Sequence, residues 1–173
     1  TYKGLEKLGF SENARSVIGL QLIEILSQGL EKRDAQKLRE DIDGILGNVT
    51  SDTIANFDDL GFDYIVCDEA HNMKNIFTRV KGRVNEEEKK GRDVSPYQLS
   101  SGGKPSARGL KLFSCCQWVL KNNDMRNVVL LTATPFTNSP LEIYSMLSLV
   151  AYQKLEARGI TNSVDFFDKF INE

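Results

Sequence analysis

The sequence predicts an α/β fold organised around a parallel sheet. Two short apolar runs, residues 64–67 and 128–131, have the length and composition of strands that are buried on both faces of such a sheet. Between them, residues 107–122 repeat apolar side chains at helical spacing, as expected for the crossover helix of a right-handed βαβ unit. The first run ends in two carboxylates and the second in a threonine-rich turn. Both groups are expected beyond the carboxyl ends of neighbouring strands, where open parallel sheets carry their chemistry.

The composition is that of one globular domain of ordinary size, with 173 residues and 40% apolar side chains. Because 22 basic residues face 24 acidic ones, nucleic-acid binding would need a local basic patch. Three cysteines do not make a disulfide framework, and the adjacent Cys115 and Cys116 are expected to be reduced, buried thiols of a cytoplasmic protein. The sequence contains no signal peptide and no apolar run near the roughly 20 residues that span a bilayer, so no membrane partner is expected.

Residues 1–56 predict a lead-in followed by a helical hairpin. The first two residues are interpreted as the tail of a strand. Ser11 is a candidate N-cap for a helix that carries apolar residues at helical spacing and ends near Gly29. A second helical pattern covers residues 35–46 after a short charged link, so the two helices are expected to pack as an antiparallel hairpin. The hairpin is either an arm that touches nucleic acid or a partner, or a solvated unit that buries its own stripe; its mixed charge favours the second.

The segment after the second strand predicts two further helices. Ser139 and Pro140 suit an N-cap and a first helical residue. The side chains expected to face the core are Ile143, Leu147 and Val150. Ser163 is a candidate cap for a last short helix. The aromatic cluster of that helix, expected to be covered by a missing part of the protein or by a partner, comprises Phe166, Phe167 and Phe170.

Two motifs carry a resemblance to a known family. Residues 68–71 have the sequence DEAH, which is similar to motif II of superfamily two helicases and translocases. Residues 132–135, Thr-Ala-Thr-Pro, resemble their motif III. With Lys74-Asn75 after the first motif and residues 135–144 after the second, the longer match resembles the Snf-like branch. Residues 57–75 and 159–170 resemble above all the large helicase-like proteins of phages, plasmids and conjugative elements that are often associated with a DNA methylase. The resemblance covers roughly residue 57 to the end.

This resemblance implies a fragment of a longer mobile-element protein that uses ATP to move on double-stranded DNA. The implied fold is part of a RecA-like domain of the P-loop NTPase type, a three-layer parallel sheet with an inserted helical hairpin. Residues 57–150 would be its half from motif II to motif III, and residues 151–173 a C-terminal helical segment. The N-terminal part of the domain and a second RecA-like domain would lie elsewhere, and a DNA methylase would be a further partner.

The resemblance also assigns roles to individual residues. ATP hydrolysis needs a hydrated divalent ion on the phosphates and a water molecule aimed at the γ phosphorus. Asp68 would hold Mg²⁺ through a water molecule, and Glu69 would orient and deprotonate the attacking water. His71 would bond across to the motif III strand, where Thr132 and Thr134 would couple hydrolysis to movement. The catalytic candidates are therefore Asp68, Glu69 and His71, with Mg²⁺ and ATP as cofactors.

The phosphate-binding loop of such enzymes is not found in the sequence. Gly102-Gly103-Lys104 is followed by Pro105 rather than by the Ser or Thr of a Walker A motif, and no strand is predicted before it. No other Walker A sequence occurs. The 173-residue chain alone is therefore predicted to be inactive as an ATP hydrolase.

Residues 76–107 predict a long flexible loop, because charged residues, Gly, Ser and Pro cluster there without a regular period. Its basic side chains and their neighbours are the only candidate contacts to DNA phosphates. An acidic block at residues 86–88 weakens that patch, so a plain solvated loop is an equal alternative. The candidates are Lys74, Arg79, Lys81, Arg83, Lys104 and Arg108.

Other functions compete with these. A zinc site is disfavoured, since His71 is the only histidine and no cysteine pair has metal-ligand spacing. Trp118 is expected in the core rather than in a base-stacking platform. The alternatives that stay open are a non-catalytic module for protein or nucleic-acid interaction that has kept the fold, and an RNA-directed helicase.

Overall fold

In the part of the chain that the structure describes, helices pack against one face of a pair of parallel strands. The computed structural model describes residues 2–27, 36, 40, 55–77, 105–137 and 139–170. The helices are α1 (Tyr2–Lys7), α2 (Glu12–Ser27), α3 (Ala107–Asn122), α4 (Pro140–Glu156) and α5 (Ser163–Phe170). The strands are β1 (Ile65–Cys67) and β2 (Val128–Leu130), and short 3-10 turns cover Asp58–Leu60 and Ala70–Met73.

The strand pair confirms the prediction of an α/β fold at a coarse level. Strand β1 pairs in parallel with β2, with Ile65 opposite Val128 and Cys67 opposite Leu130, and α3 connects the two. Alternate side chains of a strand point to opposite faces. Ile65 and Cys67 pack against the helical core, whereas Val66 is 58% exposed.

The described residues do not show the predicted three-layer sheet. These residues include two strands, and helices cover the face of β1 opposite to Val66. A short apolar run therefore does not require burial on both faces, because alternate side chains can meet different environments. The described residues show an α/β arrangement and give no evidence of a RecA-like sheet.

The N-terminal segment is helical, so the interpretation of a strand tail is wrong for Tyr2, the first described residue. Leu5 and Leu8, three residues apart, are buried in the core that α1 shares with α2. The predicted N-cap of α2 is confirmed, since Ser11 Oγ accepts the amide hydrogen of Ala14 at 3.3 Å. Ser11 also binds the carboxylate of Asp58, which joins α2 to the segment leading into β1.

The second helix of the predicted hairpin lies outside the described residues, apart from positions 36 and 40. The same holds for residues 78–104 of the predicted flexible loop. At the ends of that loop the side chain of Ile76 is fully buried and Ser106 caps α3, so these two positions belong to the packed structure.

Helix α4 begins as predicted, with Ser139 as its N-cap and Pro140 as its first residue. The predicted core face is wrong for Ile143 and Leu147, which are 36% and 37% exposed, whereas Val150 packs against the core. The buried face instead contains Leu141, Tyr144, Ser145, Ser148, Leu149, Tyr152 and Leu155. Serine can share this face because its hydroxyl finds a local acceptor, as Ser148 Oγ does in the carbonyl of Tyr144 at 2.7 Å.

The aromatic cluster of α5 is covered mainly by its own chain. Phe166 and Phe167 are buried beside Tyr144 and Ile160, and Phe170 remains 61% exposed. The prediction that the cluster needs a partner is therefore wrong for its first two members. The helix is capped by Asn162, whose Oδ1 accepts the Asp165 amide at 3.0 Å, one residue before the predicted Ser163.

Other side chains lie as predicted. All three cysteines are free, and Cys115 and Cys116 are buried. Trp118 packs against the core. Within the described residues, no helix is long and apolar enough to cross a bilayer.

Candidate functional site

The carboxyl end of β1 presents two exposed carboxylates. Asp68 accepts the amide hydrogen of Glu69 through Oδ1 at 2.8 Å, which closes the turn directly after the strand. Glu69 has φ of 51°, in the left-handed region where a residue with a side chain carries strain of about 1–2 kcal/mol. The turn therefore holds both carboxylates in solvent at the strand end.

The end of β2 lies beside this turn, as predicted. The Leu131 amide donates to the carbonyl of Cys67 at 2.9 Å, and the Ala70 amide donates to the carbonyl of Leu131 at 3.1 Å. These two bonds extend the pairing beyond the strands. They bring Thr132 next to the 3-10 turn that contains His71, so the acidic and hydroxyl groups share one edge of the sheet.

His71 joins the two strand ends. Its Nδ1 lies 3.1 Å from Thr132 Oγ1 and 3.1 Å from Glu69 Oε2. A carboxylate only accepts hydrogen bonds, so the contact with Glu69 is favourable when Nδ1 carries the proton. The predicted bond from His71 across to the second strand end is confirmed.

Thr134 takes part through its backbone rather than its side chain. Its amide donates to Thr132 Oγ1 at 3.2 Å, and its own side chain is exposed. Thr132 Oγ1 thus accepts this amide hydrogen, and the hydroxyl proton of Thr132 stays available for a second hydrogen bond. The structure brings Asp68, Glu69, His71 and Thr132 together, with Thr134 holding the orientation of Thr132.

Residues 68–77, here called the site loop, pack against the first turn of α3. Ala70 and Ile76 are fully buried. A Cβ atom at Gly109 would lie 2.7 Å from the carbonyl oxygen of Asn75 and 2.9 Å from that of Met73. Only glycine permits this approach, and the sequence prediction missed it because one glycine in a helical pattern carries no signal of its own.

The start of α3 binds the same loop. The Ser106 amide donates to the carbonyl of Asn75 at 2.9 Å, and Ser106 Oγ accepts the Gly109 amide at 3.0 Å. One serine therefore caps the helix and holds the end of the site loop.

A second anchor links the site loop to α4. Lys74 Nζ lies 2.9 Å from Glu142 Oε1 and donates to Thr137 Oγ1 at 2.7 Å. Both oxygens of this contact come from segments that follow β2. Sequence reasoning assigned no role to Glu142; its position three residues after the N-cap Ser139 was the signal, since this spacing is typical of a capping carboxylate.

The six basic candidates do not form a patch within the described residues. Lys74 is bound to Glu142, with its side chain 16% exposed, and Arg108 is exposed on the first turn of α3. The other four candidates, Arg79, Lys81, Arg83 and Lys104, lie outside the described residues.

The acid pair suits a hydrated magnesium ion better than a closed metal cage. Among the described residues, no group of three or more His, Cys, Asp or Glu side chains is placed to hold a metal. Magnesium is commonly bound by one or two carboxylates together with phosphate oxygens and water, which two exposed carboxylates can satisfy. The neighbouring Cys67 is an unsuitable nucleophile, because burial and then the charge of Asp68 raise the pKa of its thiol.

Comparison with known proteins finds similarity to a phage protein. Over 119 residues the chain is 36% identical to the "Defense against restriction protein B" of Escherichia phage P1. The match covers 65% of this chain and 5% of that protein, so the chain spans about a twentieth of the length of its relative. No family model matches the chain, and no solved structure matches it.

These findings contradict the assignment to superfamily two helicases. The relative is named for defence against restriction, and no helicase family matches. The predictions of a DNA helicase or translocase, of an RNA-directed helicase, and of a functional DEAH-box identity are therefore wrong. A four-residue motif and a threonine-rich turn can recur wherever two parallel strands end side by side, because the same strand-end geometry favours the same residue types.

Proposed function

We propose that this chain carries the acidic half of a magnesium-dependent nucleotide-hydrolysing site in a longer protein that acts in the conflict between phage DNA and host restriction. The supporting observation is the contact of His71 Nδ1 with both Glu69 and Thr132, each at 3.1 Å. Through it, a carboxylate at one strand end and a hydroxyl at the adjacent strand end form one connected group.

The proposed chemistry divides between the two carboxylates. Asp68 would hold Mg²⁺ through water, and Glu69 would orient and deprotonate a water molecule directed at a terminal phosphate. Bound magnesium would neutralise charge on the phosphate oxygens. His71 would set the orientation of Glu69 and pass any displacement of that side chain to Thr132.

The partners that we propose are based on the similarity to the phage protein. The name of the phage relative links it to defence against restriction, and restriction acts on DNA. We extend this setting to the present chain, with double-stranded DNA, an associated DNA methylase and further domains, including a RecA-like arrangement, as elements of the longer protein. The free thiols fit a reducing compartment, so we place that protein in the cytoplasm.

Manganese line broadening tests the metal site directly. Mn²⁺, used in place of Mg²⁺, is expected to broaden the amide NMR signals of residues 68–71 and 132–134 before those of other regions. Asp68→Asn should weaken this binding by about 10-fold to 100-fold, at least as much as loss of an outer-shell partner of a metal. Asp63→Asn, which removes an exposed carboxylate just before β1, is the matched control and should leave the binding unchanged. Broadening spread evenly over the surface, or insensitive to Asp68→Asn, would overturn the proposed site.

Hydrolysis is tested by phosphate release. The 173-residue chain is predicted to release no phosphate from ATP, because its sequence contains no phosphate-binding loop. In the longer protein, Glu69→Gln should lower kcat by about 10²-fold to 10⁴-fold, the usual contribution of a general base. Normal turnover by the Glu69→Gln protein would exclude the proposed role of Glu69.

A further inference from the structure

Three side chains from separate segments form one hydrogen-bonded group. Lys74 comes from the site loop, Thr137 from the segment after β2, and Glu142 from the first turn of α4. Lys74 Nζ binds Glu142 Oε1 and Thr137 Oγ1 at 2.9 and 2.7 Å. Glu142 Oε2 accepts the amide and the hydroxyl of Thr137 at 2.9 and 3.2 Å. We call these three residues the brace.

The brace is shielded from water at its charged centre. The side chains of Lys74 and Glu142 are 16% and 11% exposed. At this burial a charge-assisted hydrogen bond is less screened than on an open surface, and loss of one partner leaves the other charge without compensation. Glu142 also lies in the first turn of α4, where the helix dipole favours a negative charge.

Two ties connect the same pair of segments. The first is the bond between His71 and Thr132, and the second is the bond between Lys74 and Thr137. The tied residues are three positions apart on one segment and five on the other. Separation of the segments at the bond between His71 and Thr132 must therefore also strain the bond between Lys74 and Thr137.

We infer that Lys74 and Glu142 are positioning residues that hold Thr132 against His71 and so fix Glu69 for the proposed phosphate chemistry. This inference rests on the proposed function for its chemical purpose, while its geometric content can be tested without nucleotide or metal. It also assigns the ammonium group of Lys74 to the protein itself rather than to a DNA phosphate.

The ring nitrogens of His71 give the test. His71 is the only histidine, so its ring ¹⁵N signals are assigned without ambiguity. In the wild-type protein in mildly alkaline buffer, we expect the tautomer with the proton on Nδ1. Lys74→Met and Glu142→Gln should each move the ring signals toward the tautomer with the proton on Nε2, because Glu69 and Thr132 are no longer held together around Nδ1.

Two further variants separate positioning from folding. Thr137→Val keeps the ion pair and removes one hydroxyl, so it should shift the His71 signals in the same direction even if the charge variants fold poorly. The exchange Lys74→Glu with Glu142→Lys should restore part of the wild-type signal. Lys154→Met, which removes an exposed lysine from α4, is the control and should have no effect.

The affinity for Mn²⁺ is measured in a separate experiment. Mn²⁺ binding at the carboxylates should weaken about 10-fold in Lys74→Met, as is usual for loss of a group that orients metal ligands. If wild-type and variant proteins bind no Mn²⁺ but the His71 signals shift, the proposed function fails and the positioning role stands. Folded Thr137→Val, Lys74→Met and Glu142→Gln proteins with wild-type His71 signals would overturn the positioning role, whatever the metal result.

Discussion

The two halves of the site loop are built in opposite ways. Asp68 and Glu69 are exposed, and the backbone of Glu69 is strained, whereas Ala70 and Ile76, a few residues further on, are fully buried. Burial of a side chain such as Ile76 contributes about 1.5–3 kcal/mol, which exceeds the strain of about 1–2 kcal/mol at Glu69. The comparison teaches that the anchored half can hold the exposed half in a conformation that the exposed residues alone do not favour.

The largest expected effect comes from the anchored half. Gly109→Ala should destabilise the protein by about 1–3 kcal/mol, because the new methyl group meets two backbone carbonyls of the site loop. Urea unfolding followed by circular dichroism measures this change. Arg108→Ala, one residue earlier and exposed, should stay within about 0.5 kcal/mol of wild type.

Helix propensity alone predicts the reverse for Gly109, a gain of about 1 kcal/mol on substitution by alanine. A Gly109→Ala protein as stable as wild type, or more stable, would therefore show that α3 does not anchor the site loop in this way.

In the exposed half we expect a smaller effect on stability, in which substitution by glycine is less harmful than substitution by alanine. Glu69→Gly and Glu69→Ala both remove the carboxylate, but only glycine adopts a φ of 51° without strain. The glycine variant should be more stable than the alanine variant by about 1 kcal/mol. The same urea titration measures the difference, and equal stabilities would mean that the turn at Glu69 is not held in the left-handed region.

The smallest expected effect on stability comes from the buried thiols of Cys115 and Cys116 in α3. Burial raises the pKa of Cys115 from about 9 to about 12 and raises that of Cys116 further. Because the folded pKa lies above the unfolded one, the unfolded state loses its thiol protons first as the pH rises. Stability is therefore fully present well below pH 9 and falls as the pH rises from 9 toward 12.

Thermal unfolding at neutral pH and at pH 9 measures this loss, and Cys115→Ala should remove part of it. The half-buried Cys67 should react with a thiol reagent before Cys115 and Cys116 do. Equal rates for all three cysteines would contradict the packing of α3 against the strands.

Local features of the fold could be predicted from the sequence, whereas long-range packing could not. The bounds of α3 agree with the predicted residues 107–122, and the caps at Ser11 and Ser139 lie where their chemistry indicated. These features depend on neighbours within one or two turns. The buried face of α4 was misassigned at Ile143 and Leu147, since burial of Ser148 in their place depends on its bond to a backbone carbonyl and on what packs beside it.

The candidate site divides in the same way. The sequence determined that two apolar strands end in carboxylates and threonines, because strand length, side-chain type and chain order are local properties. Tertiary structure alone decided that α3 approaches the site loop at Gly109 and that Lys74 meets Glu142. Contacts between residues far apart in the chain depend on the relative positions of whole elements, and those positions come from packing the complete core rather than from any single stretch of sequence.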